Sequence, residues 1–567
     1  MSWKLKKKYA DLIASEKGYQ KKTWGELLTV CLAYPNYYRT GMSNLGLDTL
    51  YSLINRQSSF LCERAFLPEP KDQALFTAGS IPLFSLESQK PLTEFDIIAF
   101  SIPFENDYSN ILKMLTMAGI SLSARERTET EPLIISGGVS VTLNPEPLAV
   151  FFYLFLLGEG EEILPEFLSL FEDSRRLGLN RSELLFRIQK EIEGAYVPRY
   201  YRVNYKPNHL IENIEPVNAS FPEKIKTRHI SDIGTFTTDQ CVSAPITEFN
   251  ELFLTEISRG CQRGCRFCAA GFLYRPARFR SLTALEPSFD RGIKEQKKIG
   301  LLGTAVSDHP DLHTLCRYII NHQGFVAIGS FRLDRLDSEL VSLLKESGIE
   351  TLSLAPEAGS QRLRNVIHKG ITDDHIMNAV GLLIEHGIVN IRLYFMVGLP
   401  TETDEDIEAI IHLIKKIKHR AMKLSAGKRR FKRITLSINQ FIPKPVTPFQ
   451  WHPLEEINTV RKKLRKIDGA MRKEPSVKVI HDLPKWNYIQ ALLSLGDRKV
   501  GKILLSAHEN DCNWPKAFKE VNVNPDFYVY RHKTTDEILP WDFIDHGISK
   551  EYLISEYKKA MEGGVHI

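Results

Sequence analysis

Ser258-Arg-Gly-Cys261-Gln-Arg-Gly-Cys265-Arg-Phe-Cys268, directly after the apolar run Leu252 to Ile257, decides the reading of this chain. A strand that opens into a loop with three thiols in eight positions places those thiols around one corner of a metal centre. Three ligands leave a fourth position free, and an iron without a protein ligand binds a substrate or cofactor directly. A zinc knuckle would need a fourth Cys or His at matching spacing. Cys241 stands twenty residues upstream of Cys261, and no His lies between it and Cys268. Cys31, Cys62, Cys316 and Cys512 are single or in apolar surroundings and read as small core residues. Eight cysteines in 567 residues, three of them clustered, fit a ligand site in a reducing compartment rather than a disulfide framework.

Strand candidates lie at 252–257, 300–306, 324–329, 350–355, 389–396 and 434–440, with helical stretches between them. This alternation predicts an α/β fold, an open, partial (β/α)6 barrel over residues 246–451. In such a barrel the chemistry sits where strands end. The unusual residues fall there: the cysteines after the first strand, Ser307 and Asp308 after the second, Ser330 and Arg332 after the third, Glu357 after the fourth and Gly398 after the fifth.

Residues 27–175 alternate in the same way and predict a Rossmann-like, doubly wound parallel sheet. Its strands are expected at 27–33, 95–102, 133–136 and 152–157, with helices at 43–55, capped by Ser43, and at 110–118. Residues 1–26 form an N-terminal extension, and 176–245, cut by Pro198, Pro207, Pro216 and Pro222, form a bridging segment. Residues 452–567 form a small C-terminal appendage, α/β or helical.

The length implies about three domains. Hydrophobic and charged contents of 43% and 25% with a net charge of +5 single out no partner. Lys4, Lys6, Lys7 and Lys8 are not followed by an apolar segment, and the longest apolar run, 149–157, is far short of the roughly 20 residues that cross a bilayer. A cytoplasmic protein with no membrane partner is expected.

The cysteine loop, with Phe267 before its last thiol, resembles the signature of the radical S-adenosylmethionine (SAM) superfamily. The resemblance implies a 4Fe-4S cluster on Cys261, Cys265 and Cys268, whose open iron chelates SAM. One electron then cleaves SAM to methionine and a 5′-deoxyadenosyl radical, which abstracts hydrogen from the substrate. It also implies an electron donor such as a flavodoxin or ferredoxin. Gly303-Thr-Ala-Val-Ser-Asp-His-Pro310 stands where the family has a Gly-Gly-Glu-like strand end. The glycine pair is missing here, so the contact to the SAM amino group falls to the backbone of Ala305 and Val306. Ser330, Arg332 and the stretch from Ala355 to Arg364, through Glu357 and Arg364, resemble the groups that meet the ribose and the methionine carboxylate. For Glu357 and Arg364 the alternative is a salt-bridged surface pair. Met396-Val-Gly398-Leu-Pro400-Thr-Glu402 resembles the fifth-strand motif, where Gly398 lets backbone approach adenine, although a plain strand-to-helix turn has the same sequence.

The N-terminal sheet resembles the cobalamin-binding domain that precedes the barrel in a large radical SAM subclass. The resemblance rests on Tyr34-Pro35, on Gly41-Met-Ser-Asn-Leu-Gly46, on Ser136-Gly137-Gly138 and on Leu157-Gly158-Glu159-Gly160-Glu161-Glu162. Gly137 and Gly138 are the candidate cobalamin contacts. No Asp-x-His-x-x-Gly follows the first strand, which leaves cobalt without a histidine ligand there. Two readings stay open, cobalamin held without that histidine and a degenerate domain that has lost it. The domain order and Asn439-Gln-Phe-Ile-Pro443-Lys444-Pro445-Val-Thr-Pro448-Phe-Gln-Trp451 resemble a widespread family of cobalamin-type radical SAM proteins. A cobalamin-dependent methyltransferase acting on an unactivated carbon is therefore expected. Its rivals are radical chemistry without cobalamin, by rearrangement or sulfur or thioether insertion, and a non-catalytic scaffold for RNA or protein. Ten lysines and arginines between Lys415 and Arg433 offer phosphate contacts, but with only Phe431 interleaved a solvated helix face and loop is the favoured reading.

Overall fold

The computed structural model describes residues 2–249, 251–425 and 431–563. The N-terminal sheet consists of β1 (Leu28–Tyr34), β2 (Phe60–Phe66), β3 (Ile97–Ser101), β4 (Leu133–Gly137), β5 (Leu154–Leu156) and β6 (Ala195–Tyr196), in spatial order β2-β1-β3-β4-β5-β6. All pairs are parallel except β5 with β6. Helices cover both faces, so the strands are apolar along nearly their whole length. The order reverses between β1 and β3, where an open α/β sheet leaves a crevice at its carboxyl edge.

The four expected strands are present, each shifted by at most a few residues. β2 escaped the sequence reading because Glu63 and Arg64 interrupt its apolar run. Both are buried with partners: Arg64 bonds Glu16 at 2.6 Å and Glu87 at 2.7 Å, and Glu63 accepts from Trp24 Nε1 at 2.8 Å and Ser85 Oγ at 2.5 Å. Helix Leu45–Arg56 is capped by Asn44, whose Oδ1 accepts from the Leu47 amide at 3.0 Å. Ser43, the expected cap, instead donates to the Arg39 carbonyl. The bridging segment is more ordered than its prolines suggest. Helix Arg181–Glu191 opens on an Asn180–Glu183 capping box and leads into β6, so the first domain continues past residue 175. A hairpin of β7 (Tyr201–Tyr205) and β8 (Ile211–Pro216) follows, then β9 (Ile225–Lys226).

The second half contains β10 (Phe253–Arg259), β11 (Arg278–Phe279), β12 (Lys298–Gly303), β13 (Phe325–Ile328), β14 (Thr351–Glu357), β15 (Asn390–Val397), β16 (Arg433–Gln440) and β17 (Val477–His481). β10, β12 and β13 run parallel, a parallel bridge from Phe331 to Leu354 joins them to β14, and β14 to β17 continue parallel in chain order. The six expected barrel strands are thus extended by a seventh. β17 lies inside the expected appendage, and its half-exposed sequence, edged by Pro475, has no apolar run to reveal it. The barrel has its own core around Ile257, Leu301, Val326, Leu352, Leu393 and Leu436.

The remaining C-terminal residues share a core with the N-terminal sheet, through Trp451, Leu492, Trp541 and Tyr557. β18 (Ile544–Asp545) pairs with β9. Asn144 donates to the carbonyls of Ser494 at 3.0 Å and Gly496 at 2.8 Å, and Arg498 pairs with Glu146 at 3.1 Å. This segment is a brace between the two larger units. Among the described residues no helix is long and apolar enough to cross a membrane.

Candidate active site

β10 ends at Arg259, and the loop that follows turns on two glycines. Gly260 (φ +85°) lies so close to the Tyr274 carbonyl that no side chain fits, and Gly264 (φ +72°) lies beside Arg275 and His368. Within the loop the Cys268 amide donates to the Cys265 carbonyl at 3.1 Å, and the Gly271 amide to the Cys268 carbonyl at 3.0 Å. The Arg263 amide reaches Cys261 Sγ at 3.5 Å.

Two arginines fasten this loop. Arg263 bonds Asp308, after β12, at 2.5 and 2.9 Å and Asp334, after β13, at 3.4 Å. Buried Arg266, between the second and third cysteines, donates its amide to the Ile367 carbonyl at 3.0 Å. Its guanidinium reaches the carbonyls of Val366 at 2.7 Å and Asn365 at 3.3 Å, and Glu556 of the C-terminal helix Lys550–Met561 at 3.0 Å.

Burial raises the thiol of Cys265, and the nearby charges of Lys369 and Arg332 pull it back down. Burial, with Cys265 and Cys261 alongside, pushes Cys268 up to about 11 against the Gly271 hydrogen bond. Among the described residues no three His, Cys, Asp or Glu side chains converge on a single metal ion. An iron–sulfur cluster is wider than a single ion, so its thiolate ligands need not converge on one point.

Facing Cys265 is a rim the sequence only partly revealed. Lys369 Nζ pairs with Glu357 at 3.1 Å and lies 5.9 Å from the Phe267 ring centre. Arg332 donates to the Lys369 carbonyl at 3.1 Å and to Asp334 at 3.0 Å. Burial disfavours charge on Lys369, yet Glu357 and Cys265 outweigh it and hold the proton more tightly than usual. Glu357 itself sits at φ +69°, in the left-handed region at the end of β14. Phe267, Arg332 and Glu357 therefore gather around Cys265, while Ser330 is exposed. Lys369, twelve residues beyond Glu357, carries no local signal.

Other expected contacts are turned to the chain itself. The carbonyls of Ala305 and Val306 accept from the amides of Asp308 and His309, at 2.9 and 3.1 Å, in a tight turn. Arg364 is fully buried and donates to the carbonyls of Ile371, Ala358 and Gly359 and to Asp373. It ties the loop after β14 together and is neither at the surface of the site nor paired with Glu357. The Gly398 amide (φ +79°) donates to Glu402 at 2.9 Å, and a side chain there would press on Glu455. A strand-to-helix turn accounts for that glycine.

Between the two domains lies a cavity of about 430 Å³. One wall is the carboxyl edge of the first sheet at its point of reversal, with Leu32, Ala99 and Ile135 on the sheet face and Thr49 and Leu50 on the helix opposite. Gly46, Gly137, Gly138, Gly158 and Gly160 form its rim, and Ser258, Gly303 and Thr304 at the ends of β10 and β12 close it from the barrel side. Gly138 (φ +115°) is required first by the chain crossing it: a Cβ would lie 2.6 Å from the Ile102 carbonyl oxygen. Ser136 and Ser258 are among its lining residues, and their hydroxyls are buried without a hydrogen-bond partner. Beside it Arg259 bonds Glu161 at 2.6 Å and Glu256 at 2.8 Å, and Arg278 bonds Glu159 at 2.7 Å. Glu159 and Glu161 of Leu157-Gly-Glu-Gly-Glu-Glu162 thus lock the first domain onto Arg259, ahead of the cysteine loop.

A model of the radical SAM superfamily matches residues 255–414, and one described as radical SAM proteins, N-terminal, matches residues 46–198. Over 481 residues the chain is 30% identical to an uncharacterised protein of Methanocaldococcus jannaschii, spanning 84% of this chain and 90% of that one. A threonylcarbamoyladenosine tRNA methylthiotransferase of Aquifex aeolicus is 25% identical over 176 residues, 29% of this chain and 42% of that protein. Among solved structures, the radical SAM methyltransferase TsrM from Kitasatospora setae, with cobalamin and a 4Fe-4S cluster bound, is 13% identical. It aligns over 73% of this chain and 72% of its own with a TM-score of 0.48.

Proposed function

The chain belongs to the radical SAM superfamily, and on that premise we propose that it is a radical SAM enzyme that also uses cobalamin, transferring a methyl group to an unactivated carbon. The superfamily implies a 4Fe-4S cluster and SAM, and the donor set fits them: three thiols on one loop, with the charged Lys369, Glu357 and Arg332 beside the second. The observation that supports cobalamin is the cavity. It lies at the sheet's reversal point, its walls are mostly apolar, and the ends of β10 and β12 contribute to it. A ligand there would therefore face the same strand ends that present the cluster loop. Among the described residues no histidine lines it, in keeping with the missing lower ligand in the sequence.

Bound together, these groups supply one-electron cleavage of SAM and carriage of a methyl group. The chain's own residues do the positioning. Cys261, Cys265 and Cys268 would hold the cluster, while Arg263 and Arg266 fix the loop. Lys369 and Arg332 offset negative charge at Cys265. Gly137, Gly138, Ser136 and the apolar walls would hold the nucleotide end of cobalamin, and the Arg259–Glu161 lock keeps the two halves in register and water out.

The test uses protein purified without oxygen: iron, sulfide and cobalt content, then 5′-deoxyadenosine release with SAM and a strong reductant. About four irons per chain, deoxyadenosine release and stoichiometric cobalamin uptake are expected. Cleavage without any cobalamin uptake would refute methyl transfer and favour rearrangement or sulfur chemistry. Bound zinc with no sulfide and no cleavage would overturn the radical reading altogether.

A further inference from the structure

The chain's charge is segregated. Residues 411–486 contain twenty lysines and arginines against five aspartates and glutamates, a net +15 in a chain whose total is +5, so the remainder carries −10. In space the described helices and edge strand of this stretch form one flank of the barrel. Helix Asp404–Leu424 packs on helix Ile457–Met471, which packs on edge strand β17 and on helix Pro484–Leu495. Lys415 and Lys418 meet at Glu474 across the first contact, at 4.0 and 2.9 Å. Lys428, Arg429 and Arg430 lie outside the described residues.

Much of this charge has no counterpart. Arg461, Lys462, Arg465, Arg472, Lys473, Lys478 and Lys485 are exposed and form no ion pair among the described residues. Arg461, Arg465 and Arg472 recur at helical spacing and make a stripe about 16 Å long at 1.5 Å per residue. On the neighbouring helix Pro484–Leu495, Trp486 is 43% exposed with Lys485 Nζ 5.3 Å from its ring centre, and Leu483 just before it is 56% exposed. β17 pairs only with β16 among the described strands. A merely solvated face calls for mixed charge, and a guarded sheet edge needs only a lysine or two. Seven unpaired cations on a flank that also exposes an aromatic ring exceed both. Beyond Phe431, this flank exposes Trp486, on a helix packed against Ile457–Met471.

We propose that this flank docks single-stranded RNA, the cations tracking its phosphates and Trp486 stacking a base. Unpaired bases beside a flexible phosphate chain are what RNA loops present, whereas duplex DNA hides its bases from a flat surface. The inference is independent of cobalamin and of the cluster.

The experiment measures binding of full-length protein to a labelled single-stranded oligouridylate across salt concentrations. With seven phosphates neutralised, the slope of log K against log salt is expected near about −5, an affinity loss of roughly a thousandfold between about 50 and 200 mM salt. Arg461→Glu, Arg465→Glu, Arg472→Glu and Lys473→Glu together should bring the slope to about −2, with the melting curve and iron content unchanged. The same four positions as glutamine serve if the glutamate form misfolds. Trp486→Ala should weaken binding about tenfold at constant slope. Wild-type affinity in both fourfold variants overturns the proposal. So does tighter, Trp486-independent binding to duplex DNA, or to vesicles of phosphatidylglycerol, which would make this a membrane-facing flank. Because Cys265→Ala should bind the oligouridylate normally, failure here and failure of the radical reading are read separately.

Discussion

Replacing Arg266 by methionine tests whether the C-terminal segment is part of the active site or an attachment to it. Arg266 is 2% exposed, and its partner Glu556 lies 290 residues away on the last described helix. Methionine keeps the bulk of the stem but removes every donor. The Val366 carbonyl then loses its donor, and the Glu556 carboxylate keeps only Lys559, at 2.8 Å, as counter-ion; losing charge-assisted hydrogen bonds at a buried site costs about 2–3 kcal/mol. Even about 2 kcal/mol raises the opening equilibrium of the cysteine loop roughly thirtyfold. Hydrogen exchange on the cluster-free protein reads this directly, since the amides of residues 266, 268 and 271 are bonded within or beside the loop. Iron retained after anaerobic reconstitution should fall in parallel. Glu556→Gln gives the second arm of a double-mutant cycle, with a coupling of about 2 kcal/mol expected for groups in contact. Unchanged loop exchange in Arg266→Met, or strict additivity of the two substitutions, would refute the idea that the C-terminal helix holds the loop.

Cys265→Ala should abolish both the intact cluster and SAM cleavage while leaving the circular dichroism spectrum unchanged; cleavage at the wild-type rate would contradict the ligand assignment. Ala99→Phe projects a ring into the cavity from the sheet face, so cobalamin uptake should fall at least tenfold with iron content preserved, and undiminished uptake would move the cofactor elsewhere. Asp107 is buried between Asn36 and Asn110, and burial, against the hydrogen bonds of both, pushes its carboxyl up to about 7. The folded chain then keeps a proton that the unfolded chain releases near pH 4, so this contribution to stability declines as pH rises from about 4 to 7 and is flat above. Asp107→Asn should remove that slope and raise stability at pH 8 by about 2–4 kcal/mol; urea unfolding that shows the same variant-to-wild-type difference at pH 5 and pH 8 would contradict it.

What could be read from the sequence was what is local in the chain. The three thiols and their two flexing glycines share one loop, and the strands at 28–34, 253–259 and 390–397 announce themselves by continuous or alternating apolar runs. Where a strand buries ions, as β2 does at Glu63 and Arg64, the pattern breaks although the strand does not, because partners from residues 16, 24, 85 and 87 restore what the burial takes away. β17 was hidden for the opposite reason, being too exposed to show a pattern.

The site divides along the same line. Arg332 and Glu357 were visible at strand ends, but Lys369, which joins them over Phe267, becomes meaningful only once the chain after β14 has turned back on the loop. Arg364 and Gly398 show the converse. A motif position near a cofactor must also close a strand-to-helix turn, and a sequence cannot separate those two demands. The structure does: the Arg364 donors go to carbonyls of its own loop and the Gly398 amide to Glu402, so both act on the site by fixing the backbone that frames it. Substitutions there should therefore lower loop order and SAM affinity together, whereas changes at Arg332 or Lys369 should alter affinity in a loop that stays ordered. That contrast separates a residue that frames the site from one that faces it.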